Sequence, residues 1–136
     1  DRHYRTAIDR RPYDIQLLNG AAIAAQGLGH LDEALDCYRR ALDIVPDLPD
    51  IYYNMGDLHR RSGHAGAAVD AYRRTVELRP DDAGAHFALG ELLTRRGDWA
   101  EAIQAYRGFL SHWKGDPRYA EIAEGRIDTL KSHHRK

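Results

Sequence analysis

The sequence predicts an all-α protein assembled from three copies of one helix pair. The first observation is a 34-residue period: Ala34-Leu35, Ala68-Val69 and Ala102-Ile103 superimpose, as do Tyr38, Tyr72 and Tyr106. The second is punctuation at the same spacing, with Gly29, Gly63 and Gly97 in one column and Pro12, Pro46 and Pro80 in another. The third is a column of small residues, Ala22, Gly56 and Gly90, set against Ala34, Ala68 and Ala102, as two closely crossing helices require. Self-similarity at such a period marks stacked supersecondary units, each burying its apolar face on the next.

Residues 1–12 read as the second helix of an incomplete repeat, ended by Pro12, because Tyr4, Ala7 and Ile8 match second-helix columns. Its own first helix is expected upstream. Repeat 1 covers 15–48, with helices near 15–28 and 31–45. Repeat 2 covers 49–82, with helices near 50–62 and 65–79, and repeat 3 covers 83–116, with helices near 83–96 and 99–113. The glycines follow the first helices, where a left-handed residue closes the helix and glycine takes that conformation without strain. Arg60-Arg61 and Arg95-Arg96 suit the negative helix ends before two of them. Pro46 and Pro80 stop the second helices. In the third copy Lys114 replaces the proline, and Asp116-Pro117 offers an N-cap and a first-turn proline for a helix over 117–132. That helix aligns Tyr119, Ile122, Ala123, Ile127 and Leu130 on one face, with Glu121, Glu124, Asp128 and Lys131 opposite, so it reads as a cap. Residues 133–136 are a tail.

The core expected from these columns is Leu18/Tyr52, Ala21/Met55/Leu89, Tyr38/Tyr72/Tyr106 and Leu42/Val76/Leu110. At the amino end, Tyr4, Ala7 and Ile8 are expected to dock near Leu18 and to leave one apolar side uncovered, a candidate surface for self-association.

Composition narrows the function. A net charge of -1 argues against a general nucleic-acid binder, which carries excess positive charge on a basic stripe. No apolar run approaches the roughly 18 residues of a membrane span. Cys37 is the single cysteine, so an internal disulfide and a multi-cysteine metal site are excluded. It shares a column with Ala71 and Ala105 and reads as a small packing position. The 8 histidines show no ligand spacing such as HExxH, and His59 and His86 fall in core columns, so no metal or cofactor is expected. Ser62, Ser111 and Ser132 lie at helix ends or in the tail, away from any catalytic constellation.

The period and the small, aromatic and proline columns together resemble the tetratricopeptide repeat (TPR) family along nearly the whole chain. The resemblance implies a right-handed α-solenoid with a C-terminal capping helix, no catalysis, and a concave groove lined by first helices that holds a peptide or helix of a partner protein. It places Asn19, Tyr53 and Phe87 in one groove row, Ile23, Asp57 and Glu91 in the next, and Gln26, Arg60 and Thr94 in a third, with Gly27, Arg61 and Arg95 beside it. Asn54 shares a column with Gly20 and Ala88. Tyr53 and Phe87 draw attention because Tyr52 and His86 already fill the buried column, so a second aromatic beside each is placed to anchor a partner side chain. The alternative is that both pack on adjacent helices. Arg60, Arg61 and Arg95 could receive a carboxylate bidentately. Alternatively they are solvated helix-end charges paired with Asp57 or Glu91 one turn away.

Two specialised TPR patterns are absent. The clamp for the C-terminal carboxylate of heat-shock chaperones uses Lys and Asn, then Asn, then Lys and Arg; the matching positions hold Asn19 and Ile23, then Asn54, then Gly84 and Ala88, and Asn54 alone agrees. The asparagine ladder of sugar-transferase TPRs needs Asn throughout the column Gly20/Asn54/Ala88. The expectation is therefore a protein-interaction scaffold, with a recruiting or regulatory module of a larger enzyme and a self-assembly module as alternatives. The partner-binding residues expected are Asn19, Tyr53, Asn54, Asp57, Arg60, Arg61, Phe87, Glu91 and Arg95.

Overall fold

The computed structural model describes the backbone of residues 2–134 and the side chains of residues 13–133. Among them there is no strand. The helices are α1 (Arg2–Gly27), α2 (Leu31–Ile44), α3 (Pro49–Arg61), α4 (Ala65–Leu78), α5 (Ala83–Arg96), α6 (Trp99–His112) and α7 (Pro117–His134). They form three antiparallel pairs, α1 with α2, α3 with α4 and α5 with α6, and α7 packs on α6.

The three glycine turns are built alike. Gly29, Gly63 and Gly97 have φ of 80°, 80° and 82°, in the left-handed region that costs a side-chain-bearing residue about 1–2 kcal/mol. Each is followed by an N–H that reaches back five residues: His30 to the Ala25 carbonyl at 2.8 Å, His64 to His59 at 2.8 Å and Asp98 to Leu93 at 3.0 Å. That 6→1 bond is the Schellman closure, which satisfies a carbonyl the helix leaves unpaired.

Within a pair, the approach is set by a tyrosine ring lying on a glycine. A Cβ placed on Gly56 would stand 2.7 Å from the Tyr72 ring, and one on Gly90 would stand 2.7 Å from the Tyr106 ring. Glycine is needed there for space rather than for backbone angle. Ala34, Ala68 and Ala102 are fully buried beside Tyr38, Tyr72 and Tyr106. The buried residues form two clusters: a smaller one from α1, α2 and α3 around Tyr38, and a larger one from α4 to α7 around Tyr72 and Tyr106. An exposed bidentate pair of Arg73 with Glu101, at 2.9 and 2.7 Å, ties α4 to α6.

Three expectations are corrected. The helix break at Pro12 does not occur, because α1 runs unbroken from Arg2 to Gly27. A proline forfeits one donor, but its φ near −65° is helical, so it does not by itself end a helix. Before Pro46 and Pro80 the chain has already left the helix, at Val45 (φ −132°) and Arg79 (φ −136°), whereas Arg11 stays helical. The expected docking of Tyr4, Ala7 and Ile8 concerns side chains outside the described residues. Ala21 is exposed rather than part of the core, since the buried face of α1 passes through Ala22 and Ala25. Finally, Tyr119 and Ile122 are 50% and 42% exposed, while Ala123, Ile127 and Leu130 are buried. The first turns of α7 thus lie at the edge of the stack.

Candidate functional site

The first helices of repeats 2 and 3 frame a cleft of about 390 Å³. Six of the expected residues line it: Tyr53, Asp57 and Arg60 from α3, and Phe87, Glu91 and Arg95 from α5. Tyr53 and Phe87 pack on neighbouring helices, and both also line the cleft. The Tyr53 ring meets Tyr72 edge-on at 5.6 Å, and Phe87 meets Tyr106 at 5.7 Å and Phe109 at 5.0 Å. Each is half-buried, with one side on the core and the other on the cleft.

The acidic pair is committed within the protein. Asp57 accepts a hydrogen bond from the Tyr72 hydroxyl and pairs with Arg60 at 3.3 Å. Glu91 accepts from the Tyr106 hydroxyl at 2.6 Å and pairs with Arg126 of α7. Burial, then the Asp57 carboxylate, pushes the Tyr72 phenol well above its ordinary value, and burial raises Tyr106 likewise. Both hydroxyls therefore stay protonated as donors. Of the three arginines, only Arg60 takes the predicted partner one turn away. Among the described residues, Arg61 and Arg95 have no carboxylate within ion-pair distance.

The remaining expected residues lie elsewhere. Asn54 donates to Asn19 at 2.9 Å, joining α3 to α1. Asn54 and Arg61 line a second cavity of about 320 Å³ with Ile23, Gln26 and Tyr38, and Asp57 borders both spaces.

Sequence reasoning missed the aromatic wall at the carboxyl end of the cleft. Trp113 stacks on Phe109 at 5.2 Å and meets Tyr119 edge-on at 5.6 Å. Its indole N–H donates to the Asp116 carbonyl at 2.9 Å. Two large aromatics flanking the Gly115-Asp116-Pro117 turn were the available signal. Arg126 was also missed, because it stands on the capping helix α7 while its partner Glu91 lies on α5.

A family model described as tetratricopeptide repeat matches residues 53–120, and a second, described as TPR repeat, matches residues 27–63. This chain belongs to the tetratricopeptide repeat family. No curated protein matches it. Among solved structures, the first TPR of Spaghetti (RPAP3) bound to the HSP90 peptide SRMEEVD is similar, with TM-score 0.75, 18% identity, and coverage of 91% of this chain and 95% of that one. So is the Yersinia enterocolitica type III secretion chaperone SycD in complex with a peptide of the translocator YopD, with TM-score 0.74, 15% identity, and coverage of 88% and 93%. The Thermobaculum terrenum O-GlcNAc transferase gives TM-score 0.70 and 28% identity, over 84% of this chain and 22% of that one. The likenesses at 18% and 15% identity establish the fold of the TPR chain and nothing finer.

Proposed function

We propose that this TPR chain is a protein-interaction module whose cleft between α3 and α5 holds a segment of a partner protein, with an apolar side chain seated between Tyr53 and Phe87. The observation that carries this reading is the cleft's composition. Tyr53 and Phe87 are held edge-on by core rings, so an anchor placed between them loses little further conformational freedom on the protein side. Trp113 and Tyr119 close one end, and Arg95, which has no ion-pair partner among the described residues, stands exposed at the rim. Aromatic walls with a charged rim are the composition of interface hot spots. Two proteins of similar fold, described as bound to an HSP90 peptide and to a YopD peptide, support peptide capture as a use of this architecture.

The test is affinity capture with the intact chain, read by mass spectrometry, against Tyr53→Ala/Phe87→Ala and against Arg95→Glu. Arg95 is exposed, so its variant removes no core packing; reversing a charge in the last turn of α5 should lower the melting temperature by only a few degrees. A partner retained by the parent and lost from both variants supports the cleft. An identical set of captured proteins from all three would place binding on another surface.

A further inference from the structure

The three equivalent tyrosines differ in one respect. Tyr72 and Tyr106 each donate to a carboxylate of their own repeat, Asp57 and Glu91, and each carboxylate also meets an arginine, Arg60 and Arg126. In repeat 1 the corresponding position is Ile23. Tyr38 is fully buried, and its hydroxyl has no hydrogen-bond partner. An arginine is nevertheless present, since Arg61 of α3 lines a cavity with Tyr38; the Asp57 carboxylate and, more weakly, the Arg61 guanidinium both act on the Tyr38 hydroxyl. The phenol donor of repeat 1 and a cation from α3 of repeat 2 thus face one cavity, and the acid position of repeat 1 itself is Ile23.

We propose that this cavity in repeat 1 receives an acidic side chain of the bound partner, which takes the place that Asp57 and Glu91 hold in the other two repeats. The inference deepens the groove reading above and rests on it. A buried hydroxyl without an acceptor is destabilising, and a carboxylate seated between a phenol donor and a guanidinium recovers that cost through charge-assisted bonds. Burial pushes the Tyr38 phenol above its ordinary value, so it remains a donor at neutral pH. The amides of Gln26 and Asn54 line the same space. Asp57 also borders it, but that carboxylate is occupied by Tyr72 and Arg60. Ile23 lines the same cavity and is 53% exposed, so little packing fixes its side chain. The site adjoins the aromatic cleft through Asp57, which sets the acidic residue to one side of the apolar anchor along a single segment.

The proposal is tested first without any partner. Ile23→Glu supplies the missing acid in cis, and thermal unfolding at neutral pH is compared for the parent, Ile23→Glu, Tyr38→Phe and Ile23→Glu/Tyr38→Phe. A site built for a carboxylate should make Ile23→Glu melt higher by about 3 °C or more, and Tyr38→Phe should abolish that gain. An equal shift in both backgrounds would overturn the proposal. The second measurement uses an array of synthetic twelve-residue peptides with amidated C-termini, so that only side chains supply carboxylates. Peptides whose binding is lost in Arg95→Glu should carry an Asp or Glu whose change to Asn or Gln weakens binding about tenfold or more. Ile23→Glu should weaken them similarly, and Tyr38→Phe should erase the preference for the acid. Arg95-dependent peptides indifferent to all three changes would sink the acidic site while leaving the cleft intact. If no bound peptide depends on Arg95, the cleft reading fails, and the melting comparison alone decides whether repeat 1 holds a carboxylate.

Discussion

A tyrosine hydroxyl shut away from water is costly unless an acceptor meets it, and this chain places three of them in equivalent surroundings with different outcomes. Tyr106→Phe removes a hydroxyl that donates to Glu91 at 2.6 Å and should destabilise the protein by about 1–3 kcal/mol. Tyr38→Phe removes one with no partner and should leave stability unchanged or raise it. Urea midpoints of the two variants check the contrast; equal losses would mean that Tyr38 finds an acceptor in solution. His59 makes a second prediction at this scale. Burial, with His64 and Arg39 nearby, holds its imidazole below the ordinary value of 6.5. As pH falls below that value the unfolded chain takes the proton first, so stability should fall with it. His59→Gln should flatten the dependence of the urea midpoint between about pH 7 and pH 5. An unaltered slope would place the titration elsewhere.

Between helices, the decisive quantity is the space left under a ring. Gly56→Ala and Gly90→Ala place a methyl 2.7 Å from an aromatic ring that is itself fully buried, so each should cost about 1–3 kcal/mol by overpacking despite the better helix propensity of alanine. Ala68→Leu and Ala102→Leu should cost a similar amount, because both methyls are fully buried. Ala65→Leu, at an exposed position on the same helix as Ala68, should cost less. Melting temperatures of the set check the register, and equal values would contradict it. Gly63→Ala tests a different cause. Nothing crowds its missing Cβ, so a loss of about 1–2 kcal/mol there reports the backbone angle alone.

For the molecule as a whole, a stack is as cooperative as its seams. The seam between α2 and α3 is thinner than that between α4 and α5, and the buried residues divide into a small cluster over α1 to α3 and a larger one over α4 to α7. Five large apolar side chains of α1, α2 and the turn between them, Tyr13, Leu17, Ile23, Leu28 and Leu31, are 38–72% exposed, so this end gains least from burial. Repeat arrays lose stability unit by unit when neighbour contacts are weak. Native-state hydrogen exchange should therefore show lower protection in α1 and α2 than in α5 and α6. Uniform protection at the global value would show that one cooperative unit spans the chain.

How much was legible in the residues depended on whether a feature repeats. The period, the Schellman glycines and the small column under each tyrosine recur every 34 residues, so local chemistry and repetition were enough to establish helix pairs and a solenoid. Tyr53 and Phe87 stood out for the same reason, as aromatics beside columns already filled. What does not repeat had to come from the tertiary structure. Pro12 is the same residue as Pro46 and Pro80, yet only the latter two follow a residue that has left the helix, Val45 and Arg79, and the helix end depends on that neighbour rather than on the proline alone. The alternative of a local ion pair holds for Asp57 with Arg60 but not for Glu91, which meets Tyr106 from α6 and Arg126 from α7, residues distant in sequence. The Trp113 and Tyr119 wall exists only because α7 folds back on α6. Sequence determined which elements form, because helix signals are local. Tertiary structure decided which polar groups are spent inside the protein and which remain available, because that depends on which residues the fold brings side by side.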